Sequence, residues 1–359
     1  MTASTPFANS LVAARLPRGV TWIVLGGSLL VTGVALYLIH LSQPGSSFNV
    51  VGTVVIGTIA FVILLFLLSY WVEGLRQARN RLATAAIGSA FIIALLPLIS
   101  LLYTVLHKGL PRMLQPSFFT QSMRNVLGPG GGALHAIIGT LEITLTTTLI
   151  SVPIGILTSI YLVEYGRGPL ARTVTFMVDV MTGIPSIVVG LFTYAMFLLL
   201  TANPGYRSGF GGSIALSVIM IPIIVRASEE ILRLVPNELR EASLALGVPK
   251  WLTVLKVVIR TSIAGLATAV MLAVARVAGE TAPLLLVTGF SMSMNYNLFA
   301  NQMMTLPMFA YTQFANQGPN AADYLNRSWA AALTLILLVM TLNLIARIIA
   351  RFFAPKLSR

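Results

Sequence analysis

The sequence predicts an all-α integral membrane protein, and three observations carry that prediction. Of its 359 residues, 57% are hydrophobic and 9% are charged, the mean hydropathy is +0.89, and long apolar runs recur from end to end. A soluble globular chain carries about 25% charged residues, whereas a membrane-crossing helix needs roughly 20 largely apolar ones. Windows of that length place spans near 20–41, 50–72, 83–106, 134–163, 171–200, 212–234, 262–289 and 328–350, about eight transmembrane helices in all.

The first run follows Arg15 and Arg18; it is longer than the core of a signal peptide and has no small-residue cleavage site, so it reads as a retained span. Arg76, Arg79 and Arg81 precede the third span. With an inside N-terminus, the inner connections and the inner ends of the spans hold most of the Lys and Arg, and the outer ones hold only Lys108, Arg112, Arg124, Arg207 and Arg327. Basic residues stay on the cytoplasmic side of short loops, so both termini are expected there. The net charge of +13 is then mostly topological. Basic residues spread over span ends, without a shared soluble face, exclude a nucleic-acid partner.

The GPGGG run at 128–132 lacks a preceding strand and a Gly-Lys-Ser/Thr ending, so it reads as a flexible lead-in to the fourth span rather than a phosphate cradle. Glu142 lies in that span among Thr140, Thr144, Thr146 and Thr148, and Asp179 lies in the fifth; hydrogen bonding within the bundle, or pairing with a basic residue of a partner, suits both. The sixth span carries Pro222 and Arg226, and the seventh carries Arg276, Glu280 and Pro283. A charge at mid-bilayer costs about 2.5–3.5 kcal/mol even on the permissive insertion scale, so Arg276 and Glu280 should face a partner or a cavity. Four residues apart on one helical face, they suit a structural ion pair as well as a transport role. The outer connection at 291–326, rich in Asn, Gln, Met and aromatics, reads either as a surface where a substrate-delivery protein docks or as a mobile connector.

Cysteine is absent, and His40, His107 and His135 stand singly near span ends, where they read as interfacial polar residues, so no metal, cofactor or thiol chemistry is expected. No Lys is followed by Ser or Thr; any ATP dependence must come from another chain, because a Walker A sequence is missing.

The polar segment 236–260, PNELREASLALGVPKWLTVLKVVIR, interrupts two spans. Asn237 suits an N-cap, Glu238 and Glu241 fall where carboxylates favour the helix dipole, and Leu239, Ala242 and Leu246 recur at helical spacing. Gly247 ends this helix and Pro249 opens a second, in which Trp251, Val254, Leu255 and Val258 share a face. The result is either a protruding knuckle for a partner's groove or an amphipathic interfacial hairpin.

Glu241-Ala242-Ser243, then Gly247, then Val257-Val258-Ile259 resembles the EAA loop of ABC-importer permeases. Ser243 stands where the family usually has a second Ala, and Arg260 where many members have Pro. AVARVAGETAPLLLVTG from 273, VPNELREASLALGVPKW from 235 and IPIIVRASEEIL at 221–232 resemble the phosphate-specific permeases of that class over most of 134–350. The resemblance implies a six-span permease core (type I, MetI-like) within 83–359, preceded by an added pair of spans over 1–82. It implies an inner-membrane subunit that catalyses no covalent chemistry itself. Its partners would be a homologous permease, two cytoplasmic ATP-binding subunits and an external phosphate-binding protein. Glu241, Ala242, Ser243 and Gly247 would form the coupling loop. Arg226, Arg276 and Glu280 are the candidate pathway residues, because a guanidinium fork donates paired hydrogen bonds to phosphate and a nearby carboxylate would let the ion leave. A permease for another oxyanion, such as molybdate or sulfate, keeps the loop; an ion-gradient-driven transporter using Glu142, Asp179 and Glu280 leaves it without a purpose.

Overall fold

The computed structural model of the chain describes residues 16–17, 19–42, 50–126 and 128–353. Arg15, Arg18, Lys356 and Arg359, which enter the charge-bias argument, lie outside them. The chain divides into two compact units, Met1–Tyr103 and Thr104–Arg359.

In the first unit, α1 (Val20–Ser42) and α2 (Val50–Glu73) pack side by side, and α3 (Leu75–Met113) begins after Gly74. The turn from α2 to α3 is tied by Glu73. Its Oε1 accepts from the Leu16 amide at 2.8 Å and from Arg81 Nη2 at 2.7 Å, and its Oε2 accepts from Ser69 at 2.7 Å. This carboxylate is 3% exposed, which is tolerable because each oxygen has a donor.

The second unit holds the end of α3, then α4 (Pro116–Thr120), α5 (Leu134–Ile160), α6 (Pro169–Gly183), α7 (Ser186–Thr201), α8 (Gly209–Arg233), α9 (Asn237–Ala245), α10 (Lys250–Thr253), α11 (Ile259–Ala278), α12 (Ala282–Val287), α13 (Leu306–Ala315) and α14 (Ala321–Phe353). A π-helical turn, Tyr161–Tyr165, extends α5, and another, Val254–Val258, joins α10 to α11. Helix α8 is central, packed on α5, α6, α7, α11 and α12. Its small residues allow the approach to α5: Ser213 donates to the Ile143 carbonyl at 3.3 Å, and Thr147 donates to the Ser213 carbonyl at 3.3 Å. Around them Ile143, Leu216, Met220, Ile224, Ala273 and Val277 belong to a buried hydrophobic core.

Among the described residues seven helices are long and apolar enough to cross a membrane, and an eighth span results if α6 and α7 count as one. The expected fifth span is therefore not straight: α6 and α7 meet at 107°. Gly183 ends α6, Ile184 is extended, and Pro185 precedes α7; a residue before proline is driven out of the α region, which stops the helix there. The expected seventh span also breaks, since α11 ends at Ala278 and α12 begins with Pro283 in its first turn.

Three local expectations change. The Gly-rich lead-in at 128–132 is a packed corner, since a Cβ at Gly132 would stand 2.4 Å from the Ser117 carbonyl oxygen. His135 is buried rather than interfacial, its ring edge-to-face with Phe309 at 5.3 Å. The 291–326 connection is not all surface: Met303, Met304, Leu306, Met308 and Phe309 are fully buried, and α13 packs on α14 and α5. At that seam Gly139 faces the chain so closely that a Cβ would lie 2.1 Å from the Met304 carbonyl oxygen. Gly139→Ala is expected to destabilise the protein by about 1–3 kcal/mol through overpacking, read as a lower melting temperature in detergent.

Candidate functional site

The segment 236–260 folds as a helical knuckle. Pro236, rather than Asn237, occupies the cap position of α9. Asn237 is its first helical residue, and its Oδ1 accepts from Arg240 Nη1 at 3.2 Å. The proline fixes the extended backbone needed there without presenting an amide. Helix α9 ends in a Schellman arrangement: the Gly247 amide donates to the Leu244 carbonyl at 2.9 Å and the Val248 amide to the Ser243 carbonyl at 3.3 Å. Gly247 has φ +73°, the left-handed conformation that glycine adopts without steric cost.

Across the turn the hydroxyls of Ser243 and Thr253 lie 2.9 Å apart, both buried. Ser243 thus links the two arms of the knuckle. Val254 and Val258 are buried, whereas Trp251 is 62% and Leu246 83% exposed. The apolar face expected of the second arm is therefore split, one half anchoring the knuckle and the other left outward. Glu241 and Ala242 are exposed on α9.

The knuckle is fastened to the end of α5. Arg240 donates to Glu164 Oε1 through Nε at 3.0 Å and Nη2 at 2.8 Å, and to the Val235 and Leu232 carbonyls at 2.5 and 3.0 Å. Lys250 donates to the Glu164 carbonyl and stands over the Tyr165 ring at 4.9 Å. Sequence reasoning missed this clasp, because 76 residues separate Arg240 from Glu164.

The candidate pathway residues have different surroundings. Arg226 is compensated: its Nη1 donates to Glu229 Oε2 at 2.8 Å and its Nη2 to Asp179 on α6, while Glu229 also accepts from Arg233 at 2.5 Å. Asp179, expected to seek a partner's cation or a bond within the bundle, finds Arg226. Arg276 is exposed in the last turn of α11, and Glu280 lies beyond the end of that helix, half-buried. Among the described residues no carboxylate lies within ion-pair distance of Arg276. The helix ends before Glu280, so the four-residue spacing does not close into a pair. The chain brings neither Arg276 and Glu280 nor the two arginines into a shared ion-pair network. Glu142 lines an apolar cavity of about 490 Å³ with Thr144, Thr148 and Asn343, and its buried Oε2 has no partner among the described residues.

The model of the family described as the binding-protein-dependent transport system inner membrane component matches residues 151–359. The chain belongs to that family. It is 44% identical over 287 residues, 79% of this chain and 91% of the relative, to the phosphate transport system permease protein PstA 1 of Mycobacterium tuberculosis (strain ATCC 25618 / H37Rv). It is 38% identical over 285 residues, 78% of this chain and 92% of the relative, to the phosphate transport system permease protein PstA of Yersinia pestis. It is also similar to a chain of an inward-facing MetNI methionine ABC transporter, with a TM-score of 0.48 and 22% identity, covering 62% of this chain and 95% of that one.

In this permease the Glu164–Arg240 clasp should be worth measuring directly. Both side chains are largely buried, at 6% and 16% exposed, and removing one partner of a buried pair leaves the other uncompensated. Glu164→Gln is expected to cost about 3 kcal/mol. Faster limited proteolysis within 237–258, with the rest of the chain unchanged, would register it.

Proposed function

We propose that this chain is the permease subunit of an ATP-driven inorganic phosphate importer, forming an anion path with a homologous permease. The single observation that carries the pathway is Arg276. An exposed guanidinium with no carboxylate beside it, in a helix apolar enough to span a membrane, is costly against lipid and belongs against water, an anion or a partner. Arg226 is the second cation of the path, and phosphate must draw it away from Asp179. Glu280 tunes the release of the ion.

Two cytoplasmic ATP-binding subunits seat on the Glu241–Gly247 turn, and an extracytoplasmic phosphate-binding protein delivers the ion. The subunit is non-catalytic, lies in the inner membrane of a bacterial cell, and has both termini in the cytoplasm. Its permease region runs over 83–359, and the two spans within 1–82 are an addition to it. The relatives named as phosphate permeases support the choice of ion, and the exposed Leu246 and Trp251 on the knuckle support the seat.

Uptake of labelled phosphate into vesicles holding the complete complex tests this reading. Uptake should require ATP and resist an uncoupler, and unlabelled phosphate should compete while sulfate and molybdate do not. Competition by molybdate or sulfate in place of phosphate would move the protein to another oxyanion. Uptake by this chain alone, abolished by the uncoupler, would replace the whole scheme.

A further inference from the structure

A second cationic site lies at the opposite end of the bundle from the knuckle. Helix α5 with its π-helical turn runs Leu134–Tyr165, so the corner before Leu134 and the Glu164 clasp stand about 45 Å apart along it. At that corner a cavity of about 240 Å³ is bordered by Arg112, Gln115, Asp323, Asn326 and Arg327, among others.

Arg327 is 1% exposed, the largest fully buried side chain among the described residues. All of its partners are neutral. Nε donates to Gln313 Oε1 at 2.8 Å, Nη1 donates to the Gly128 and Gly130 carbonyls at 3.0 and 3.2 Å, and the guanidinium stands 4.5 Å from the Tyr324 ring centre. Nη2 makes no hydrogen bond among the described residues. Arg112 likewise donates to neutral groups, Gln115 Oε1 and the Gly131 carbonyl. Neither arginine has a carboxylate within ion-pair distance among the described residues.

A buried charge is tolerated when an opposite charge or a full set of hydrogen bonds compensates it. Here a buried and a half-buried guanidinium border one polar cavity with no carboxylate at ion-pair distance, and the Asn326 side chain is beside them. Paired planar forks match the several oxygens of a tetrahedral oxyanion, whereas a spherical halide presents only one acceptor atom. Asp323 on the same wall opposes an anion and keeps its hold loose.

We propose that the Arg112–Arg327 cavity binds a tetrahedral oxyanion, inorganic phosphate, as a station separate from Arg226 and Arg276. The identity of the ion rests on the phosphate reading above, whereas the site itself does not.

Phenylglyoxal labelling of the purified permease complex in nanodiscs, without the binding protein, tests the proposal when read residue by residue by mass spectrometry. Inorganic phosphate should slow the labelling of Arg112 severalfold, chloride at equal ionic strength should not, and exposed Arg124 should label at the same rate throughout. Phosphate should also raise the melting temperature of the wild type and of Arg124→Gln by more than that of Arg112→Gln, which keeps only the Arg226 and Arg276 path. Unchanged Arg112 labelling with every oxyanion, or equal protection by chloride, would overturn the site while leaving the uptake assay to judge the transport reading. Protection by sulfate or molybdate but not phosphate would keep an oxyanion cavity, overturn phosphate as its ligand and count against the phosphate reading itself.

Discussion

Arg276→Gln should assemble with its partners and fail to carry phosphate. Gln keeps much of the shape and donates hydrogen bonds, but it lacks the charge. Removing an unpaired charge from a spanning helix lowers its insertion cost by up to about 2.5–3.5 kcal/mol, so a misfolded product is not the expected result. One charged hydrogen-bonding contact to the moving ion is worth about 1.5–3 kcal/mol, which corresponds to a roughly 10- to 100-fold loss of ATP-dependent uptake. Basal ATP hydrolysis by the complex should stay near the wild-type rate, because Arg276 belongs to α11 and not to the knuckle. Wild-type uptake by this variant would remove Arg276 from the pathway. Arg276→Lys, which restores a point charge without the planar fork, should recover part of the activity.

Gly247→Asp should do the reverse, sparing the spans and detaching the ATPase. Gly247 sits at φ +73° with open space around its Cα, so an added side chain meets no atom of this chain. The backbone strain is about 1–2 kcal/mol for a typical residue and less for Asp or Asn. The larger effect falls on the partner. The turn presents Leu246 at 83% exposed, and a carboxylate carried with it into a partner's groove costs several kcal/mol when left unpaired. Co-purification of the ATPase subunits should fall at least about 100-fold in affinity, while the melting temperature of the isolated permease stays close to wild type. Gly247→Asn has nearly the same shape and backbone preference without the charge, and it should retain more binding. Equal loss in both variants would point to strain in the turn instead of charge at the seat.

The spans and the knuckle were legible because both are written in local patterns. Apolar runs of spanning length announce themselves by composition, and the Asn-Glu start, the Gly-Val-Pro turn and the spacing of Leu239, Ala242 and Leu246 belong to one short segment. Pairing over long range was not legible. Asp179 and Arg226 lie 47 residues apart, and nothing in the period of either helix says that α6 will bring one to the other. Arg327 was counted as an outer loop charge, although it is buried by a corner built from Gly128 and Gly130. A Met-rich uncharged stretch such as 303–308 suits a core as well as a surface, and only the small face of α5 at Gly139 decides between them. The end of α11 at Ala278 was hidden for a related reason: Gly279 and Pro283 flag a break, but the surrounding hydropathy does not fall.

Of the two π-helical turns, Tyr161–Tyr165 carries Glu164 of the clasp, and Val254–Val258 follows the second arm of the knuckle. A π turn is in effect one residue inserted into an α-helix, and each residue advances the side-chain direction by about 100°. Glu164 lies inside the first of these turns, so its direction toward Arg240 depends on the surplus residue there as well as on its own carboxylate. If the turn were wound as plain α-helix with every residue kept, the same carboxylate would swing by up to about 100° around the helix axis, and the clasp would come undone with every one of its side chains still present. The phase of a helix, together with its contact residues, sets where the knuckle is attached.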